Sequence, residues 1–129
     1  MSQVFSLVPG QYSLVRLPPD APVPDWAFAP GGFASVTRSA DELSVVCLAA
    51  LVPAEFRSDG GWCCLKVHGP FAFDQVGILS SFAVPLAQAG VGIFAISTFD
   101  TDYILVKESQ RELAIRVLVS AGHSIAADD

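Results

Sequence analysis

The stretch from Trp62 to Ile125 alternates strand-like and helix-like runs in an order that few folds accommodate. Residues 62–67 are an apolar strand-length run stopped by His68-Gly69-Pro70. Asp74 can cap a helix running to Ala89, with Val76, Leu79, Phe82, Ala83 and Leu86 on one face and Gly90 as its stop. Pro85 falls inside that helix and removes one backbone donor. Residues 91–98 and 103–106 then read as a hairpin around Phe99-Asp100-Thr101-Asp102. Ser109-Gln110-Arg111-Glu112 has capping-box spacing and opens a helix carrying Leu113, Val117, Leu118 and Ala121. Gly122 ends it, and His123-Ser124-Ile125 can add an edge strand. The order is β-α-β-β-α-β, which predicts an α+β, ferredoxin-like unit: an antiparallel sheet with both helices on one face.

The first half is less regular. Pro9-Gly10 separates two strand-like runs, 4–8 and 12–17, and Pro followed by Gly suits the centre of a type II turn, so a hairpin is expected. The proline-rich segment from Pro18 to Pro24 excludes helix and central strand, and feeds one helical turn at 25–28. Residues 33–37 and 43–48 flank the polar tip Arg38-Ser39-Ala40-Asp41-Glu42 as a second hairpin, and 52–56 reads as a short helix. Ser58-Asp59-Gly60-Gly61 is the strongest break, placing the boundary between an abbreviated unit, 1–60, and a complete one, 61–129. Phe33-Ala34 matches Phe94-Ala95, Thr37 matches Thr98, Asp41 matches Asp102 and Val45 matches Val106, all at a spacing of 61 positions (37 to 98). The spacing predicts a duplicated hairpin, hence a tandem pair whose first copy is abbreviated, its helices shrunk.

Composition narrows the function. Hydrophobic residues make up 52% of the chain and charged ones 16%, more apolar material than a small monomer hides, so a homodimer is expected. Nucleic-acid binding needs clustered Lys and Arg, whereas here seven basic residues are scattered through a chain of net charge −6. The N-terminal residues lack a basic region and a membrane-length apolar run, so neither export nor a membrane is expected, and the location expected is cytoplasmic. Cys47, Cys63 and Cys64 are odd in number, and adjacent strand residues point to opposite faces, which excludes a disulfide framework.

Catalytic chemistry finds no foothold. Cys64 and His68 lie four residues apart on one strand, roughly 13 Å at about 3.3 Å per residue, too far for a nucleophile–base pair. His68 and His123 have no metal-ligand spacing, Asp100 and Asp102 read as a solvated turn, and no phosphate-binding glycine motif occurs. No catalytic residue, metal or cofactor is expected. Two segments remain. Residues 69–78 run from a strand end into a helix start, whose unpaired amides suit a carboxylate. Residues 97–103 offer a hydroxyl, an aromatic face and two carboxylates, which suit an ammonium group. Together they match the charges of a free amino acid, although a packed βα loop and a polar turn explain each segment as well.

At these residues the chain resembles a known family. Residues 62–67, Gly77-Ile78-Leu79, Pro85-Leu86-Ala87 and the continuous block from Val91 to Val106 are similar to the ACT-domain branch that includes animal cytosolic arginine sensors and small bacterial proteins. The likeness is close over residues 62–123 and loose over 12–52. It implies the βαββαβ ACT fold, amino-acid binding between ACT units, and no catalysis. By position it implies ligand contacts from Asp74, Gln75, Val76, Gly77 and Ile78, strand contacts from Ile93 and Phe94, and hairpin contacts from Thr98, Phe99 and Asp102. The sensors carry four ACT units and this chain at most two, so a complete inter-unit site would need a homodimer. Gln75 is neutral, and arginine specificity is not carried over. The expected function is therefore an amino-acid-binding regulatory module acting on a protein partner, with a pure dimerisation module as the alternative.

Overall fold

A computed structural model describes residues 2–56, 58–69 and 76–126. Its strands are β1 (Val4–Leu17), β2 (Ser35–Arg38), β3 (Leu43–Leu48), β4 (Ser58–Val67), β5 (Ile93–Ser97), β6 (Asp102–Lys107) and β7 (Ser124–Ile125); its helices are α1 (Ile78–Gln88) and α2 (Arg111–Ser120). Two compact units emerge, Met1–Val8 with Cys63–Asp129, and Pro9–Trp62.

In the larger unit the strand order is β7-β1-β4-β6-β5, with α1 and α2 on one face. Alternation explains that face. Cys63, Leu65 and Val67 of β4 and Ile104 and Val106 of β6 point into a core with Ile78, Phe82 and Leu86 of α1 and Ala114 and Leu118 of α2. Each large apolar side chain buried there contributes about 1.5–3 kcal/mol. The expected ferredoxin-like ACT architecture is therefore present, with one addition. The first residues of β1 lie between β7 and β4, and β7 pairs with β1 in parallel, Val4 against Ser124 and Phe5 against Ile125, so the sheet is not wholly antiparallel.

Pro85 lies inside α1 as expected. It cannot donate to the carbonyl of Ser81 one turn earlier. His123 fills that vacancy, its Nε2 lying 2.9 Å from the Ser81 oxygen. The β5–β6 hairpin, the Gly122 stop and the final short strand also follow the expected order. Two helix starts differ. Gly77, in the left-handed region at φ 82°, precedes α1, and Val76 is 81% exposed rather than on the apolar face. Asp74, the expected cap, lies outside the described residues. The Ser109 capping box does not form: residues 108–110 make a 3-10 turn, and Gln110 precedes α2 without a side-chain cap.

The smaller unit orders its strands β2-β3-β1-β4 around a core of Val15, Leu17, Ala27, Leu43, Val45 and Cys47. The expected hairpin at Pro9-Gly10 is absent, because β1 continues through it as one strand. Gly10 serves close approach instead: at φ 95°, a Cβ on it would lie 2.7 Å from Leu48 Cδ2. Ser58-Asp59-Gly60-Gly61 is likewise strand rather than break, and a Cβ on Gly60 would meet Ser13 Oγ at 3.1 Å. The expected helix at 52–56 is replaced by a 3-10 turn at Ala49–Leu51.

The strands of the two hairpins are spaced differently from the expected 61. β3 and β6 share one burial pattern and start at residues 43 and 102, a spacing of 59, and the 3-10 turns after them start at 49 and 108, also 59 apart. Residue identities suggest 61 instead. A slip of two residues leaves every strand side chain on its own face, so periodicity cannot detect it.

Candidate functional site

The β5–β6 turn is held by its two threonines. Thr98 N–H donates to the Thr101 carbonyl at 2.8 Å, the Thr98 hydroxyl donates to the same oxygen at 3.0 Å, and Thr101 N–H returns to Thr98 Oγ1 at 3.3 Å. The Thr101 hydroxyl donates to the carbonyl of Val67, tying the turn to the end of β4. Short hydroxylated side chains bonding nearby backbone are what makes such a turn rigid.

Asp102 follows immediately, opposite Ser97, and shares the helix-covered face with Ile104 and Val106. It is only 8% exposed. Its carboxylate makes no hydrogen bond or ion pair among the described residues. Phe99, at the tip of the same turn, is 77% exposed. On β5, Ile93 and Phe94 are half-buried and alternate, with Ile93 packed against the core.

The start of α1 supplies the other expected residues. The Gly77 carbonyl accepts from Ser81 N–H at 2.9 Å and from the Ser80 hydroxyl at 3.2 Å. Ile78 is buried in the core, so its side chain anchors the helix and only its backbone can face a ligand. Asp74 and Gln75 lie outside the described residues. The fold thus gathers Thr98, Phe99 and Asp102 on one turn, sets Gly77 and Val76 at the mouth of α1, and leaves Ile93 and Phe94 as strand neighbours.

All three cysteines are free and buried. Burial pushes the Cys63 thiol up to about 11 and the Cys64 thiol to about 12, and raises Cys47 as well. Among the described residues no cluster of His, Cys, Asp and Glu could hold a metal ion. A second feature escaped sequence reasoning. Lys66, His68, Gly69, Asp100 and Thr101 line an open hollow of about 330 Å³. The available signal was alternation, which turns Lys66 and His68 away from the face of Leu65 and Val67.

Residues 57–120 match the family model described as ACT domain, and residues 10–55 match a model described as an N-terminal domain. The "Cytosolic arginine sensor for mTORC1 subunit 1" of Rattus norvegicus is 35% identical over 69 residues, and that of Homo sapiens is 36% identical over 67. These matches cover 53% and 51% of this chain, but only 21% and 20% of the sensors' own length. Among solved structures, protein Atu0741 from Agobacterium tumefaciens superposes with a TM-score of 0.93 at 43% identity, covering 100% of this chain and 96% of that one. The regulatory subunit of aspartate kinase from Thermus thermophilus shares the fold, with a TM-score of 0.56 at 14% identity, over 86% of this chain and 91% of its own.

Proposed function

The chain belongs to the ACT-domain family, and from that premise we propose that it is a non-catalytic regulatory module whose ligand is an amino acid. Asp102 carries the reading. Among the described residues this mostly buried side chain has no ion-pair partner, and a ligand ammonium beside it would supply one. The amides at the start of α1 suit the ligand's carboxylate. Thr98 and Phe99 would border the ligand from the turn, Ile93 and Phe94 from the strand, and Asp74, Gln75, Val76, Gly77 and Ile78 from the helix mouth. The cytosolic setting in the name of the sensor relatives supports a cytoplasmic location here.

The proposed assembly is a homodimer, in which a second copy completes an inter-unit site. The exposed Phe99 and Val76 give that contact apolar surface beside the site. The same exposure supports the second reading, a dimerisation module whose ligand site is unused. We also place the tandem boundary near residue 60, with the first unit abbreviated.

Thermal shift against the twenty common amino acids, tested singly, separates the two readings. At a hundredfold excess over Kd a ligand stabilises by about 2.7 kcal/mol, so one amino acid should raise Tm by several degrees, and Asp102→Ala should remove the rise. No shift with any amino acid, in a protein that sediments as a dimer, would establish the second reading.

A further inference from the structure

Gln3, Ser81 and His123 lie far apart in the chain and meet at one imidazole. His123 is 3% exposed and stacks on Phe82 at 4.0 Å between centroids, and Phe5 meets the same phenyl ring edge-on at 5.8 Å. The Gln3 amide donates to His123 Nδ1 at 3.1 Å, and Nε2 lies 2.9 Å from the Ser81 carbonyl oxygen. A backbone amide can only donate, so Nδ1 must be bare and Nε2 must carry the ring's proton. Around this ring the start of β1 is fastened to the segment that holds β7. Ser124 N–H donates to Gln3 O at 3.0 Å, Ala126 N–H to Phe5 O at 2.7 Å, and the Ser2 hydroxyl to Gly122 O at 2.7 Å.

A second proton has one place to go, Nδ1, where it would point at the Gln3 N–H. The bond to Gln3 is then lost, and two donors face each other in a buried site. No described neighbour offsets the charge. The groups packed on the ring are the Gln3 amide, Ser81 and Phe82 of α1, and the Leu118 carbonyl of α2, which accepts from His123 N–H at 3.1 Å. Residues 2–8, α1 and β7 contain no titratable side chain. The charged residues of α2 are Arg111, Glu112 and Arg116; Arg111 pairs with Glu108 at 3.5 Å, and Glu112 and Arg116 are exposed. Histidine is the side chain whose charge ordinarily changes between about pH 5 and 8. We propose that His123 is a proton-operated latch on the start of β1. Neutral, it clasps Gln3 against β7 and α1; protonated, it lets go of Gln3 and loosens the pairing of β1 with β7. The opened form wets the imidazole and keeps the second proton, which the latched form has no room for, so falling pH favours opening. His68 N–H donates to Val4 O at 2.8 Å on the other side of β1, so the opening is confined to the β7 side. The latch does not rest on the ligand reading or on Asp102.

Amide hydrogen exchange of ¹⁵N-labelled protein at pH 7.5 and 5.5 tests this, expressed as protection factors so that the pH dependence of intrinsic exchange is removed. Protection at Ser124 and Ala126 should fall at least fivefold at the lower pH. Protection at His68 and Val91, whose amides bond Val4 O and Leu86 O, should change less than twofold. The fall should be absent in His123→Phe and retained in His68→Gln. The ring nitrogens of the unsubstituted protein report without any variant: their ¹⁵N shifts at pH 7.5 should show the Nε2-protonated tautomer, and their titration should track the loss of protection. Four results would overturn the proposal: equal protection at the two pH values, a fall that persists in His123→Phe, a loss of protection that does not follow the ring's titration, or a ring protonated on Nδ1 at pH 7.5.

Discussion

His123 is held in a single tautomer by its neighbours. Gln3 N–H donates to Nδ1 at 3.1 Å, so the proton must sit on Nε2, where it is given to the Ser81 carbonyl at 2.9 Å. The ring also stacks on Phe82 at 4.0 Å between centroids. His123→Phe keeps the stack and strips both bonds, and should cost about 1–3 kcal/mol in urea denaturation. In a Pro85→Ala background the backbone amide restored at that position can satisfy the Ser81 carbonyl. There the same substitution should cost about 1 kcal/mol less, read from a double-mutant cycle. The thiols make a pH prediction. Their folded values, about 11 for Cys63 and about 12 for Cys64, lie above the ordinary 9.0. A group raised in the folded state contributes stability that is complete below its unfolded value and lost as pH climbs through the folded one. Urea midpoints should therefore fall between pH 9 and 12, and less so in Cys64→Ala. At pH 8 the native protein should resist iodoacetamide that labels the unfolded chain.

At the scale of elements, the alternating order after Trp62 was legible because each helix and strand there has its own period and its own stop. In the first half the β2–β3 hairpin and the turn at Asp25–Ala27 were legible too, but the path of the chain between β1 and β4 was not, because Pro-Gly and Gly-Gly pairs mark turns in most chains. Here they mark places where backbone passes close to Leu48 and Ser13. Nothing local distinguishes a glycine that turns from one that makes room. Gly10→Ala tests this: the left-handed φ and the Leu48 contact together should cost about 1–3 kcal/mol, measured by urea denaturation. A free hairpin turn would tolerate the change with a smaller loss. The site was partly legible for the same reason. Thr98, Phe99 and Asp102 lie within one turn and could be seen together, whereas Lys66 and His68 reach Asp100 only through the pairing of β4 with β6.

For the whole molecule, the expected species in sedimentation at micromolar concentration is a dimer, and Phe99→Asp should shift it toward monomer by placing a charge where apolar contact is proposed. Residue order alone determined the α+β class, the βαββαβ succession and the helix-covered face, because these follow from periodicity and stops. Tertiary structure alone decided that the first residues of β1 slot between β7 and β4, that β3 and β6 start 59 rather than 61 residues apart, and that Lys66 and Asp100 share a hollow. Strand pairing joins residues far apart in the chain, and a period of two is blind to which partner, and which register, a strand will take.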